Sequence, residues 1–235
     1  MNPVKPKKII AHRGMPEFFH ENTIDSFEKA VSFHTDMIEF DIRKTADDIL
    51  VVFHDAFINN NGSNIVLKEL SFEDLQSIAD RNGFKIPSVK EVFETFAGRT
   101  GFDIEFKEEG CEEETLYYTQ KYNCADKCII TSFNDAVIRK IQTQWPAIQA
   151  GLLIENCEIC DKDFSSYYMI CPHKEFFFKH RSLFADWKSS QKHIAIWTVD
   201  ERSQLELLLN DPLIDYIITN RCDKALELQT NLLQL

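Results

Sequence analysis

The chain is poor in the features that mark several large functional classes. Basic residues are outnumbered, with 26 Lys and Arg against 38 Asp and Glu and a net charge of −12. Duplex and single-strand nucleic-acid binders need a basic face, so a polyanion as partner is disfavoured. Anionic membrane surfaces are disfavoured for the same reason. No apolar run approaches the length of a membrane span, which excludes a helical transmembrane anchor within this sequence. Lys5, Lys7 and Lys8 form a basic flank, but no long apolar stretch follows, so the start does not read as a signal peptide. No Gly-rich phosphate loop follows the first expected strand, which weakens a nucleotide-binding open sheet. There is no internal repeat and no low-complexity linker. The seven cysteines are odd in number in a chain too large to need staples, so a reducing cytoplasm is expected.

What is present is the material for a large globular domain. The 235 residues are 44% hydrophobic and 27% charged, close to ordinary globular usage. Apolar β-rich runs alternate with amphipathic stretches along the whole length. Strands are expected at 8–12, 36–43, 49–54, 101–106, 128–132, 148–154, 167–171, 194–199 and 216–219. Helices are expected at 22–33, 72–79, 88–96, 112–122, 134–145, 176–189, 201–209 and 223–233. Residues 57–87 read as largely irregular, with a turn at Asn59-Asn60-Asn61-Gly62 and Ser71 as a helix cap. Setting 49–54 aside, eight β/α units remain, and Ile194-Ala195-Ile196-Trp197 reads as a strand buried on both faces. This order fits a single (β/α)8 barrel over 1–235, with a small insertion at about 56–87 after the second barrel strand. A doubly wound open sheet is the competing arrangement.

Barrel chemistry sits where strands run into loops. Glu39 and Asp41 are two apart on one strand and face the same way. Glu105, preceded by Asp103, sits in a similar apolar context on the next barrel strand. Like charges about 4 Å apart cost roughly 4 kcal/mol at an intermediate dielectric, so three converging carboxylates call for a cation. Oxygen-only ligands point to a hard ion, Mg²⁺ or Ca²⁺. The bland alternative is a set of solvated acids or ion pairs to Arg43 and Lys107. His12 and His54 stand at strand ends and suit a general acid and base near neutral pH. Arg13 and Lys107 add fixed positive charge able to hold a phosphate. Together these describe a phosphoryl-transfer site better than a sugar or acyl site.

The ordered short motifs carry a resemblance. His12-Arg13-Gly14, Glu21-Asn22-Thr23, Ile38-Glu39-Phe40-Asp41 and Val52-Phe53-His54-Asp55 are followed by Ile104-Glu105-Phe106-Lys107, Trp197-Thr198-Val199-Asp200 and Ile217-Ile218-Thr219-Asn220. The set resembles the glycerophosphodiester phosphodiesterase family over nearly the whole chain. The resemblance implies a (β/α)8 barrel that hydrolyses glycerophosphodiesters to glycerol 3-phosphate and an alcohol. It implies His12 and His54 as the acid/base pair, and Glu39, Asp41 and Glu105 as ligands of a divalent cation. It implies Arg13 and Lys107 on the phosphate, with Glu21 and Asn22 lining the site. Trp197 is expected as part pocket floor, part core. The chain departs from the family pattern at His34-Thr35-Asp36, at Asn59-Asn60-Asn61-Gly62 and at Thr219-Asn220. Alternatives are a related barrel phospholipase acting on lipid head groups and a non-catalytic ligand-binding barrel. Cys157-x-x-Cys160 lacks an electropositive setting and a second pair, so it reads as coincidental.

Overall fold

A computed structural model describes residues 5–156, 167–189 and 192–234. Eight parallel strands close into a barrel in the order β1 (Lys8–Ala11), β2 (Met37–Lys44), β6 (Gly101–Phe106), β7 (Cys128–Ser132), β8 (Gln149–Ile154), β9 (Met169–Pro172), β10 (His193–Ile196) and β11 (Tyr216–Thr219). The closing seam is β1, which pairs with β11 and with β2. Helices α1 (Ile24–Ser32), α3 (Val89–Phe96), α4 (Glu112–Lys121), α5 (Asp135–Gln144), α6 (Lys174–Lys179), α7 (Arg181–Ser189), α8 (Arg202–Leu209) and α9 (Cys222–Leu233) form the surrounding layer.

Strand alternation makes two cores. Outward-facing Ile38, Phe40, Ile42, Phe102 and Ile104 pack under the helices against Phe27, Phe93 and Phe96. Inward-facing Ile10, Met37, Ile129, Met169, Ala195 and Ile218 fill the barrel itself. On β2 the plug residue Met37 comes before Glu39 and Asp41, which leaves the following end of the barrel for polar residues.

After β2 the chain turns back as β3 (Leu50–Val52), antiparallel to the end of β2. The insertion follows and has its own small core of Val51, Ile58, Leu67, Leu75, Ile78 and Ile86. The stretch expected to be irregular contains a hairpin, β4 (Phe57–Asn60) with β5 (Ser63–Val66). Asn is a poor strand former, and the pairing is only four residues long. Of the expected turn Asn59-Asn60-Asn61-Gly62, the first two residues end β4, and Asn61-Gly62 joins the strands, both in left-handed backbone. Ser71 caps α2 (Phe72–Arg81), as expected. The single expected helix over 176–189 is two, broken at His180, and β10 ends at Ile196 rather than Val199. Cys157 and Cys160 lie outside the described residues.

Asp215 ties the closing turn together at the base of β11. It accepts from the Ile194 amide at 2.9 Å and from Lys188, with the His193 ring 3.6 Å away. Burial alone would raise its carboxyl, but these donors outweigh burial and hold it at about 2. That is below the value of about 3.9 for an unfolded chain. The interaction therefore stabilises above about pH 4 and fades as pH falls through about 2. Asp215→Asn is expected to cost about 2 kcal/mol at pH 7 in urea unfolding. The gap from wild type should close as pH is lowered toward 2.5; a gap that stays constant would contradict the assignment.

Candidate active site

The site is built on the loop that leaves β1. His12 continues the strand by donating its amide to the Thr219 carbonyl at 2.9 Å. The chain then turns sharply: Arg13 and Gly14 both take left-handed backbone, with φ of 53° and 85°. A Cβ on Gly14 would lie 2.4 Å from Ser26 Oγ and 2.7 Å from its carbonyl carbon, so only glycine fits. The turn aims the Arg13 amide at Glu39 Oε2, 2.8 Å away. Asn22, also left-handed, returns its amide to the Arg13 carbonyl at 3.1 Å. Its side-chain NH2 donates to Asp41 Oδ2 at 2.8 Å. Strained backbone held by such contacts is a mark of functional sites.

Parallel register sets the acids side by side. Glu39 pairs with Asp103 and Asp41 with Glu105 across β2 and β6. Glu39, Asp41 and Glu105 are buried, and one oxygen from each lies within 4.8 Å of the others. Two cations face them. Lys107 Nζ sits 2.9 Å from Asp41 Oδ1 and also bonds Glu105, and Arg13 Nε lies 3.2 Å from Asp41 Oδ2. Arg13 also pairs with Glu21 at 2.9 Å. Burial opposes the charge on Asp41, but Lys107 and Arg13 outweigh it and hold the carboxyl at about 2. Burial and Asp41 push Glu39 well above the carboxylate range and Glu105 up to about 7. Asp103, buried deeper and bonded to Thr131 at 2.9 Å, is pushed up to about 7 by burial. The two cations thus hold only Asp41 ionised, although Lys107 also reaches Glu105. Glu39 Oε1 is buried with no hydrogen-bond partner among the described residues. An oxygen-only, over-acidic cluster with an orphaned carboxylate oxygen fits a hard divalent cation.

Both histidines flank this cluster. His12 Nε2 lies 4.0 Å from Glu39 Oε2. Burial, then the Arg13 charge, lowers its pKa, which favours the neutral ring. His54 follows β3 and is positioned by its backbone: Arg43 Nε donates to its carbonyl at 2.7 Å, and the Phe53 amide bonds Asp41 O at 3.0 Å. Its ring contacts Asp55 at 2.7 Å and remains about a third exposed. A cavity of about 250 Å³ opens beside it, lined by His20, Glu21, Phe53, Phe57 and Phe84. His20 stacks on Phe84 with centroids 3.7 Å apart.

The expected residues His12, Arg13, Glu21, Asn22, Glu39, Asp41, Glu105 and Lys107 are joined by these contacts, and His54 shares its cavity with Glu21. Trp197 stands apart at the end of β10, its Nε1 donating to Cys171 O at 2.7 Å and its ring edge-on to Phe133 and His173. Residue patterns alone missed the aromatic wall of His20, Phe53 and Phe84, which only the folded insertion assembles. They also left Asp200 and Asn220 as unassigned strand ends, although Asn220 Oδ1 lies 2.8 Å from His12 Nδ1.

Comparison with known proteins agrees with this geometry. Residues 12–224 match the family model described as the glycerophosphoryl diester phosphodiesterase family. A glycerophosphodiester phosphodiesterase of Caldanaerobacter subterraneus is 29% identical over 229 residues, covering 90% of this chain and 93% of the relative. Among solved structures, a glycerophosphodiester phosphodiesterase from Parabacteroides distasonis has a TM-score of 0.82 at 22% identity, over 96% of this chain and 98% of that one. An Oleispira antarctica phosphodiesterase, solved with its product sn-glycerol-3-phosphate, has a TM-score of 0.77 at 20% identity over 96% of both chains. The chain belongs to the glycerophosphoryl diester phosphodiesterase family and is a phosphoric diester hydrolase.

Proposed function

We propose that this barrel hydrolyses glycerophosphodiesters to glycerol 3-phosphate and a free alcohol, using a divalent cation and the pair His12 and His54. The observation that carries the reading is the buried Glu39–Asp41–Glu105 cluster facing Arg13 and Lys107. The product bound by the Oleispira relative supports glycerol 3-phosphate as one product.

Glu39, Asp41 and Glu105 would hold Mg²⁺ or Ca²⁺, which supplies positive charge beside a phosphoryl oxygen. Arg13 and Lys107 bind the other phosphodiester oxygens by charge-assisted hydrogen bonds, the Arg fork spanning two at once. Glu21 and Asn22 line the site and hold Arg13 and Asp41 in register. One histidine takes the proton from the oxygen that attacks phosphorus, whether from water or from the glycerol hydroxyl. The other protonates the departing alkoxide. If the glycerol hydroxyl attacked, water then opens the cyclic phosphate with the two roles exchanged; if water attacked, the pair is reset when the first histidine gives up its proton and the second regains one. The cavity beside His54 receives one end of the substrate, its aromatic wall excluding water from the scissile bond. Trp197, edge-on to Phe133, is a substrate-binding residue in this reading.

Residues 1–235 act as one catalytic domain on a small-molecule substrate, without nucleic acid. Among the described residues no helix is long and apolar enough to cross a membrane, and the described cysteines are free and buried. Both observations suit a cytoplasmic enzyme.

His54→Ala and Glu39→Ala are each expected to cut release of glycerol 3-phosphate from glycerophosphocholine by at least about 100-fold, with folding retained by circular dichroism. Full turnover by either purified variant would remove the assignment. Chelation by EDTA is expected to abolish activity and added Mg²⁺ or Ca²⁺ to restore it; indifference to EDTA would remove the cation.

A further inference from the structure

Asn220 contacts His12 from the side away from the carboxylates. His12 Nε2 is turned toward Glu39. His12 Nδ1 lies 2.8 Å from Asn220 Oδ1. An amide side chain has a donor end and an acceptor end, so which end meets the ring decides which ring nitrogen carries hydrogen. A second residue fixes that choice.

Asp200 holds Asn220 by two bonds. Asn220 Nδ2 donates to Asp200 Oδ2 at 2.8 Å, and the Asn220 amide donates to Asp200 Oδ1 at 2.8 Å. Thr219 Oγ1, buried, adds a third donor to Oδ1 at 3.1 Å while accepting from the Arg221 amide at 2.9 Å. A carboxylate only accepts, so the Asn220 NH2 must face Asp200. Its carbonyl must then face His12, and a carbonyl there requires a donor on Nδ1.

We infer that Asp200 and Asn220 are positioning residues that fix His12 in its Nδ1–H form, so that Nε2 is the nitrogen that exchanges protons with the substrate. The inference rests on the reading of His12 as one of the acid/base pair. Neither residue touches the reacting atoms; both act through the ring. When neutral, His12 presents its lone pair at Nε2, and the proton it gains is bound and released there while Nδ1–H stays on Asn220. Loss of this hold lets the ring rotate or change tautomer, and the working nitrogen is then filled or misaimed.

The direction of the chain can be reversed without breaking it. In the double variant Asp200→Asn with Asn220→Asp, the amide at 200 keeps its carbonyl on the Thr219 hydroxyl and the backbone amide. Its NH2 then donates to the new carboxylate, whose other oxygen still accepts from His12 Nδ1. The single variant Asn220→Asp instead sets two carboxylates against each other.

The test is long-range ¹H–¹⁵N correlation of the ¹⁵N-His-labelled protein, with the His12 signals identified by their loss in His12→Gln, alongside steady-state kinetics on glycerophosphocholine. Wild type and the double variant are expected to show the Nδ1–H pattern. Asn220→Leu is expected to lose it and to lower kcat on the order of 10- to 100-fold with KM within about twofold. The double variant is expected to recover at least about tenfold over Asn220→Asp. An Nε2–H pattern in wild type overturns the inference, whatever the kinetics and even if Asn220→Leu does not fold. So does an Asn220→Leu protein whose kcat stays within about twofold. Full turnover by His12→Gln would instead defeat the acid/base reading and leave the tautomer result standing.

Discussion

Three carboxylates held together in a buried barrel mouth are the constraint around which the rest of this site is arranged. Glu39, Asp41 and Glu105 are brought into one small volume by strand alternation on β2 and by the parallel register with β6. The repulsion among them cannot be relieved by solvent, because all three are buried. Lys107 and Arg13 relieve part of it: Lys107 is shared between Asp41 and Glu105, and the Arg13 guanidinium lies on Asp41. The balance left on Glu39 and Glu105 is what a divalent cation would offset.

The loop after β1 follows from that constraint. Arg13 must reach Asp41 while its amide reaches Glu39, and this is possible only if the chain doubles back within two residues. Left-handed backbone at Arg13, the bare Cα of Gly14 against Ser26, and the return of Asn22 onto the Arg13 carbonyl are the means. Beneath the acids, the apolar plug of Ile10, Met37, Ile129 and Ile218 supplies the low-dielectric floor that gives each charge its large effect.

Much of this was legible in the sequence. Strands Gly101–Phe106, Cys128–Ser132 and Tyr216–Thr219 keep their expected bounds: Tyr216–Ile218 and Cys128–Ile130 are apolar runs of the kind a strand buried on both faces shows, and Gly101–Phe106 alternates Phe and Ile with its two inward acids. Ser88 caps its helix as its hydroxyl chemistry dictates, whereas Asn134, expected as the first helical residue, is the cap that precedes Asp135. The Glu39-Phe40-Asp41 spacing gave the shared face directly, since alternation is local. What could not be read was long-range pairing of polar groups. Nothing near Asn220 in the chain says that it meets His12, 208 positions away, or that Asp200 orients it. The hairpin Phe57–Asn60 with Ser63–Val66 was hidden because its asparagines argue against strand, and its support comes from the insertion's own core.

The measurement that bears most directly on the carboxylate cluster is the thermal stability of EDTA-treated protein as Mg²⁺ or Ca²⁺ is added back, independent of any substrate. A cation bound by the folded chain stabilises it by about 2.7 kcal/mol at 100 times its dissociation constant. The account predicts a Tm that climbs with the logarithm of cation concentration in wild type and does not climb in Glu39→Gln or Glu105→Gln. A wild-type Tm that is flat across millimolar cation, or one that climbs equally in those variants, would contradict it.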